Sequence, residues 1–157
     1  MYEGLHVSSE TLALRKASAM HDLHKHPSGG SARRYPLASV ACRTGRGGVC
    51  VITLAGEFDL DSAPAVGRAL DAVMRTSTVR HTIVDCTGVT FAGSALLDVL
   101  LTARRRQEVV LAGPLPRALG VLLDLTGSAG LFTVADSLDA ARRHLGDRSP
   151  AAPGSGR

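Results

Sequence analysis

Val84-Asp85-Cys86-Thr87-Gly88-Val89-Thr90-Phe91-Ala92-Gly93-Ser94-Ala95-Leu96-Leu97-Asp98-Val99-Leu100-Leu101 decides the fold of this 157-residue chain. The unbroken apolar run Thr82–Cys86 reads as a buried strand. Gly88 then predicts a turn. Ser94 stands where a leucine-rich helix begins, with Leu96, Leu97, Leu100 and Leu101 spaced for one buried face. A helix start carries partial positive charge and favours anions. Ser94 is therefore either an ordinary helix cap or a point where a phosphate is added and read.

Working outward, the flanking segments repeat the alternation of short strand and helix. Upstream, Leu37–Arg43 and Val49–Ala55 are apolar runs split by Thr44-Gly45-Arg46-Gly47-Gly48, which predicts a hairpin. Asp61 or Ser62 then caps a helix with Pro64 in its first turn. Val66, Leu70, Val73 and Met74 give that helix an apolar stripe. Downstream, Arg104, Arg105 and Arg106 suit a helix C-terminus. Val109–Ala112 is the next strand, and Gly113-Pro114 turns the chain. A helix starts at Pro116, carries Leu119, Leu122 and Leu123, and ends near Gly127. Leu131–Val134 is a last strand. Asp136-Ser137 caps a final helix that ends at Gly146. The order is β-β-α-β-α-β-α-β-α. Strands joined by single helices are parallel, and the opening hairpin adds an antiparallel edge. The fold class is α/β, one domain over 37–146 with about four helices.

Residues 1–36 and 147–157 mix Ser, Gly, Pro, His and Arg without a sustained period and read as disordered tails. A short helix over Ser9–Met20 lacks a partner. His21, His24 and His26 have metal-like spacing but no Cys or acid cluster to support it. The formal net charge of +4 invites a nucleic-acid reading. Residues 38–146 nevertheless carry 11 arginines against 10 acidic residues, so the excess lies mostly in the tails. Aromatic residues make up 3% and Trp is absent, which leaves little material for base stacking. No direct nucleic-acid partner is expected. No run reaches the ~18 apolar residues of a membrane span. The three cysteines, Cys42, Cys50 and Cys86, have no C-x-x-C spacing. They read as buried small hydrophobes in a reducing, cytoplasmic compartment.

Four segments in order resemble the STAS domain of anti-anti-sigma factors, the anti-sigma factor antagonists. Leu54-Ala55-Gly56-Glu57-Phe58-Asp59, with Ala63-Pro64 after it, resembles the family's Gly-Glu-hydrophobic-Asp turn and first helix. Val84-Asp85-Cys86-Thr87-Gly88-Val89-Thr90-Phe91 is similar to its central strand and turn. Gly93-Ser94 lies where the family has Asp-Ser at the head of the second helix. Leu111-Ala112-Gly113-Pro114, Leu122-Leu123-Asp124-Leu125-Thr126-Gly127 and Leu131-Phe132 resemble its C-terminal half. The resemblance covers about residues 38–146 and implies a mostly parallel mixed sheet. It implies binding to an anti-sigma factor serine kinase of the GHKL type, which frees a sigma factor. It further implies that phosphorylation of Ser94 ends the binding and that a phosphatase restores it. The pattern departs at the site: Gly93 replaces the usual Asp, and Ala95 and Leu96 replace the usual Ser and Gly.

The alternatives at each residue stay open on sequence alone. Glu57 and Asp59 follow a strand in an exposed loop; they serve turn chemistry or contact a partner beside Gly93 and Ser94. Thr87 and Thr90 are further candidate acceptors. Asp85 ends a strand and bonds amides of its loop. The strand-turn-Ser-helix order also resembles a G-x-S-x-G nucleophile elbow. Its flanking positions are Ala92 and Leu96, and His81 and His144 are poorly placed as bases. No enzyme, cofactor or metal is expected. The second functional reading is a degenerate STAS scaffold or sensor that binds a protein or small ligand constitutively, without a phosphoswitch.

Overall fold

The computed structural model describes residues 38–146. The expectations for the two tails, the Ser9–Met20 helix and His21, His24 and His26 lie outside the described residues. Five strands form one sheet in the order β1-β2-β3-β4-β5. They are β1 (Ser39–Thr44), β2 (Val49–Phe58), β3 (His81–Ala92), β4 (Val109–Ala112) and β5 (Thr133–Ala135). β1 pairs antiparallel with β2, and every other neighbouring pair is parallel. The helices are α1 (Ala63–Met74), α2 (Ser94–Arg104), α3 (Arg117–Leu125) and α4 (Leu138–Gly146). The mixed sheet, the antiparallel edge and the four helices follow the sequence reading.

Strand alternation divides the core into two layers. Cys50, Ile52 and Leu54 of β2 join Val84, Cys86 and Leu111 on one face, covered by apolar residues of α1, α2 and α3. Val51, Ile83, Val110 and Ala112 face the other way, against Ala141 and Leu145 of α4. Both layers come from short Val-, Leu- and Ile-rich runs, as buried parallel strands require.

Helix ends show local chemistry at work. The Ser137 hydroxyl accepts the Ala140 N–H at 3.1 Å and caps α4. At the end of α3, Gly127 takes φ of +66°. Its N–H donates to the Asp124 carbonyl at 3.1 Å, and the Ser128 N–H reaches back to Leu123 at 2.8 Å. That pair of bonds is a Schellman closure, which favours glycine at the left-handed position.

Two expectations are corrected. β3 does not end at Cys86; it continues to Ala92, and no turn forms at Gly88. Thr53 faces Asp85 while Ala55 faces Gly88, and Gly56 faces Val89 while Glu57 faces Phe91. β3 thus carries two extra residues against β2, each a bulge. Gly88 is required by the close approach: a Cβ there would lie 2.9 Å from the Ala55 Cβ and 3.1 Å from the Leu54 carbonyl oxygen. β2 also outruns its expected end at Ala55, because the continued β3 supplies its backbone with partners as far as Phe58.

These extensions position the site. β4 stops opposite Asp85, and β1 reaches no further along β2 than Ala55. Beyond those points Gly56–Phe58 and 88–92 form a two-stranded ribbon paired only with itself. From its tip the chain enters α1 on one side and α2 on the other.

Candidate functional site

The ribbon tip gathers the predicted site residues. Gly93 follows β3 directly, and its N–H donates to the Phe58 carbonyl at 2.8 Å, tying the head of α2 to the end of β2. A methyl group placed on Gly93 would sit 3.7 Å from the Phe91 ring and 4.0 Å from the Asp59 Cα. Gly93, Asp59 and Phe91 are therefore immediate neighbours. Ser94 is next in the chain and exposed.

Ser94 is not the cap of α2, which corrects one of its two sequence readings. Gly93 occupies the cap position with extended backbone, φ −86° and ψ 174°. Its carbonyl accepts the Leu96 N–H at 3.1 Å. The helix thus starts one residue after the cap position, and Ser94 is its first helical residue. Gly93, the cap residue, makes no side-chain capping bond, and the Ser94 hydroxyl has no hydrogen-bond partner among the described residues. A hydroxyl that satisfies nothing in its own fold is available to an outside group.

Ser62 holds the cap position of α1, as expected, but makes no side-chain capping bond; the amides before the helix are gathered by Asp59. Its Oδ1 accepts the Ser62 N–H at 2.9 Å, the Asp61 N–H at 3.0 Å and the Ser62 hydroxyl at 2.8 Å. The Ser62 Oγ in turn accepts the Asp59 N–H at 2.9 Å. This is a reciprocal clasp of the capping-box kind. The Asp59 carbonyl also accepts the Ala63 N–H at 3.0 Å, so the helical hydrogen-bond ladder starts here. The Ser62 hydroxyl, followed by the surrounding amides, holds the Asp59 carboxyl below its usual range.

Glu57 is corrected from a loop residue to a strand residue: it is the penultimate residue of β2, opposite Phe91. Its side chain is half-buried. Asp85 accepts the Thr87 N–H at 3.0 Å, the amide-bonding role expected of it, but from within β3 instead of at its end. Thr87 points its hydroxyl toward the Gly113 carbonyl at 3.5 Å. Two large apolar side chains that sequence reasoning did not single out flank the tip: Leu60 is 78% exposed and Phe91 45% exposed. The signal was Leu60 itself, an isolated apolar residue between two aspartates.

Among the described residues, His81 is not placed as the base of a nucleophile elbow. His81 opens β3 and Ser94 lies past its other end. At ~3.3 Å per residue the strand between them alone spans on the order of 35 Å. His81 instead sets Nδ1 3.6 Å from a Glu108 carboxylate oxygen. The arginine run closes α2 structurally: Arg104 Nε donates to the Leu131 carbonyl at 2.7 Å, and Arg106 pairs with Asp71 of α1. Among the described residues no His, Cys, Asp and Glu group could hold a metal. No described helix is long and apolar enough to cross a membrane.

The chain is similar to an anti-sigma factor antagonist from Mycobacterium paratuberculosis, with 25% identity, a TM-score of 0.64, and coverage of 71% of this chain and 96% of that one. It shares the fold of the anti-sigma factor antagonist SpoIIAA in its unphosphorylated form, at 19% identity and a TM-score of 0.57 over 68% of this chain and 96% of that one. The Bacillus cell fate determinant SpoIIAA in its phosphorylated form matches at 15% identity and a TM-score of 0.55, over 67% of this chain and 98% of that one. No curated protein matches the sequence. A family model described as Mlab, STAS domain matches residues 42–133, more than half of the chain. With the sheet order, the helices and these similarities in agreement, the chain belongs to the STAS domain family, and its fold is that of the anti-sigma factor antagonists.

Proposed function

We propose that this protein is an anti-sigma factor antagonist switched by phosphorylation of Ser94. It binds an anti-sigma factor serine kinase of the GHKL type in the cytoplasm, and that binding releases a sigma factor. The contact surface is the ribbon tip: Glu57 and Asp59 at the end of β2, and Gly93 and Ser94 at the head of α2. Leu60 and Phe91 supply apolar area beside the hydroxyl. The observation that carries the reading is the exposed Ser94 hydroxyl, unbonded among the described residues, at a helix start.

The physics of the switch is asymmetric. A phosphate on Ser94 brings about −1.5 to −2 charges. Within the protein it rests against the positive end of α2 and costs folding little. At an interface shaped for a hydroxyl the same anion loses its water. A penalty of ~2.8 kcal/mol weakens binding about 100-fold. A phosphatase reverses the change.

The test is binding of wild type, Ser94→Ala and Ser94→Asp to the kinase, with and without ATP, alongside intact-mass analysis. Wild type gains one phosphate and loses affinity. Ser94→Ala binds and gains none. Ser94→Asp folds normally and binds poorly. If wild type gains no phosphate and Ser94→Asp binds as wild type does, the switch is absent. The second reading then holds: a STAS scaffold that binds its partner constitutively. Gly93 favours that reading, because the acid usual before the serine is missing.

A further inference from the structure

The β1–β2 hairpin brings two thiols together. The Cys42 and Cys50 sulfurs stand 3.0 Å apart. Cys42 faces Ile52, and Thr44 faces Cys50, so the cysteines are diagonal neighbours across the antiparallel pair. Both belong to the helix-covered face of the sheet. A disulfide places its sulfurs about 2.05 Å apart, so about 1 Å of approach closes the gap. β1 is an edge strand whose only strand partner is β2, so a shift of that size leaves the pairing of β3, β4 and β5 intact.

Exposure divides the labour between the two. Cys42 is half-buried and open to a small solute, whereas Cys50 is fully buried. We propose that Cys42 and Cys50 form a dithiol site that takes a hydroperoxide, with Cys42 as the attacking thiol and Cys50 as the resolving one. The Cys42 thiolate attacks one peroxide oxygen, breaks the O–O bond and becomes a sulfenic acid; the departing hydroxide takes up a proton as water. The Cys50 sulfur then attacks the Cys42 sulfur. The S–S bond forms, the S–OH bond breaks, and the hydroxyl leaves as water with the Cys50 proton. Two thiols and one hydrogen peroxide give one disulfide and two waters, with two electrons passed from sulfur to oxygen.

Electrostatics agrees with the assignment. The hydrogen bond between the two sulfurs lowers the Cys42 pKa to about 7, while Cys50 is itself pushed up. A thiol near neutral pKa is well matched to attack at physiological pH. Cys86 supplies the internal control: burial pushes its thiol up to about 12, with the Asp85 charge adding to the shift.

The experiment treats the full chain with hydrogen peroxide, blocks remaining thiols with N-ethylmaleimide under denaturing conditions, and maps the peptides. The expected product is monomeric, lighter by two hydrogens before blocking, with Cys42 joined to Cys50 and Cys86 labelled; dithiothreitol reverses it. Native labelling without peroxide modifies Cys42 at least on the order of tenfold faster than Cys86. In Cys50→Ala, a sulfenic acid on Cys42 is trapped by dimedone. In Cys42→Ser no intramolecular disulfide forms. Should Cys50→Ala unfold, the wild-type map decides alone. Three free thiols after peroxide, a bond to Cys86, or only intermolecular disulfides would overturn the assignment.

Discussion

Asp59 gathers the Asp61 and Ser62 amides and the Ser62 hydroxyl on one oxygen, which makes it the structural anchor of the ribbon tip. Replacing it by Ala should cost about 1 kcal/mol, the usual worth of a cap, read from urea unfolding at pH 7. The sign of its pH dependence follows from a depressed folded pKa. The stabilisation is full above the unfolded value of about 4 and disappears as pH falls through the folded one. The gap between wild type and Asp59→Ala should therefore close in acid; a constant gap from pH 7 to pH 2 would refute the charge's part in it. Because Asp59 holds the tip together, Glu57→Ala is the cleaner probe of partner contact, and it should weaken kinase binding while leaving the melting curve unchanged. Gly93 departs from the family pattern without a backbone reason. Its φ of −86° suits any residue, and a Cβ would make only ordinary contacts, 3.5 Å from the Phe58 carbonyl oxygen at nearest. Gly93→Asp should therefore fold, with stability changed by only a few tenths of a kcal/mol. Ser94 was legible in the sequence as a special position. Its failure to cap was not, because the choice between Gly93 and Ser94 is set by the Phe58 carbonyl, 35 residues upstream of Gly93.

At the scale of elements, the helices and the short strand β4 were read correctly because their apolar residues recur at the period of the structure they form. β3 was not. Its buried residues after Val84 are Cys86, Val89 and Ala92, a spacing of three that fits neither strand nor helix. The two bulges against β2 cause it, and they are a property of the pair instead of either strand alone. The Cys42–Cys50 contact escaped the sequence for a related reason: eight residues separate the thiols, and only the hairpin register brings them together. Gly88→Ala should destabilise by about 1–3 kcal/mol through overpacking against β2. Ala55→Gly in the same chain should recover part of that loss in thermal unfolding, since it removes the nearer of the two clashes.

For the molecule as a whole, the near balance of 11 arginines and 10 acids in residues 38–146 argues against a nucleic-acid face. Weak binding at low salt is expected from any basic chain and should vanish at physiological salt. We further propose that residues 37–146 are the complete folding unit. A chain trimmed of residues 1–34 and 149–157 should melt cooperatively near the full-length temperature; a lost transition would show that a tail packs on the domain. The overhang of β2 and β3 beyond their neighbours has a consequence for motion. Backbone amides of residues 82–85 lie in a strand flanked on both sides, whereas those of 88–92 have a neighbour on one side only. The buried Phe58, Val89 and Ala92 side chains anchor the overhang in the core, but its backbone lacks a second neighbouring strand, and its amides should exchange with deuterium faster than those at its root. A bound partner would clamp the free end. Slowed exchange confined to 88–92 would then mark occupancy of the tip, even where no affinity tag or label can reach it.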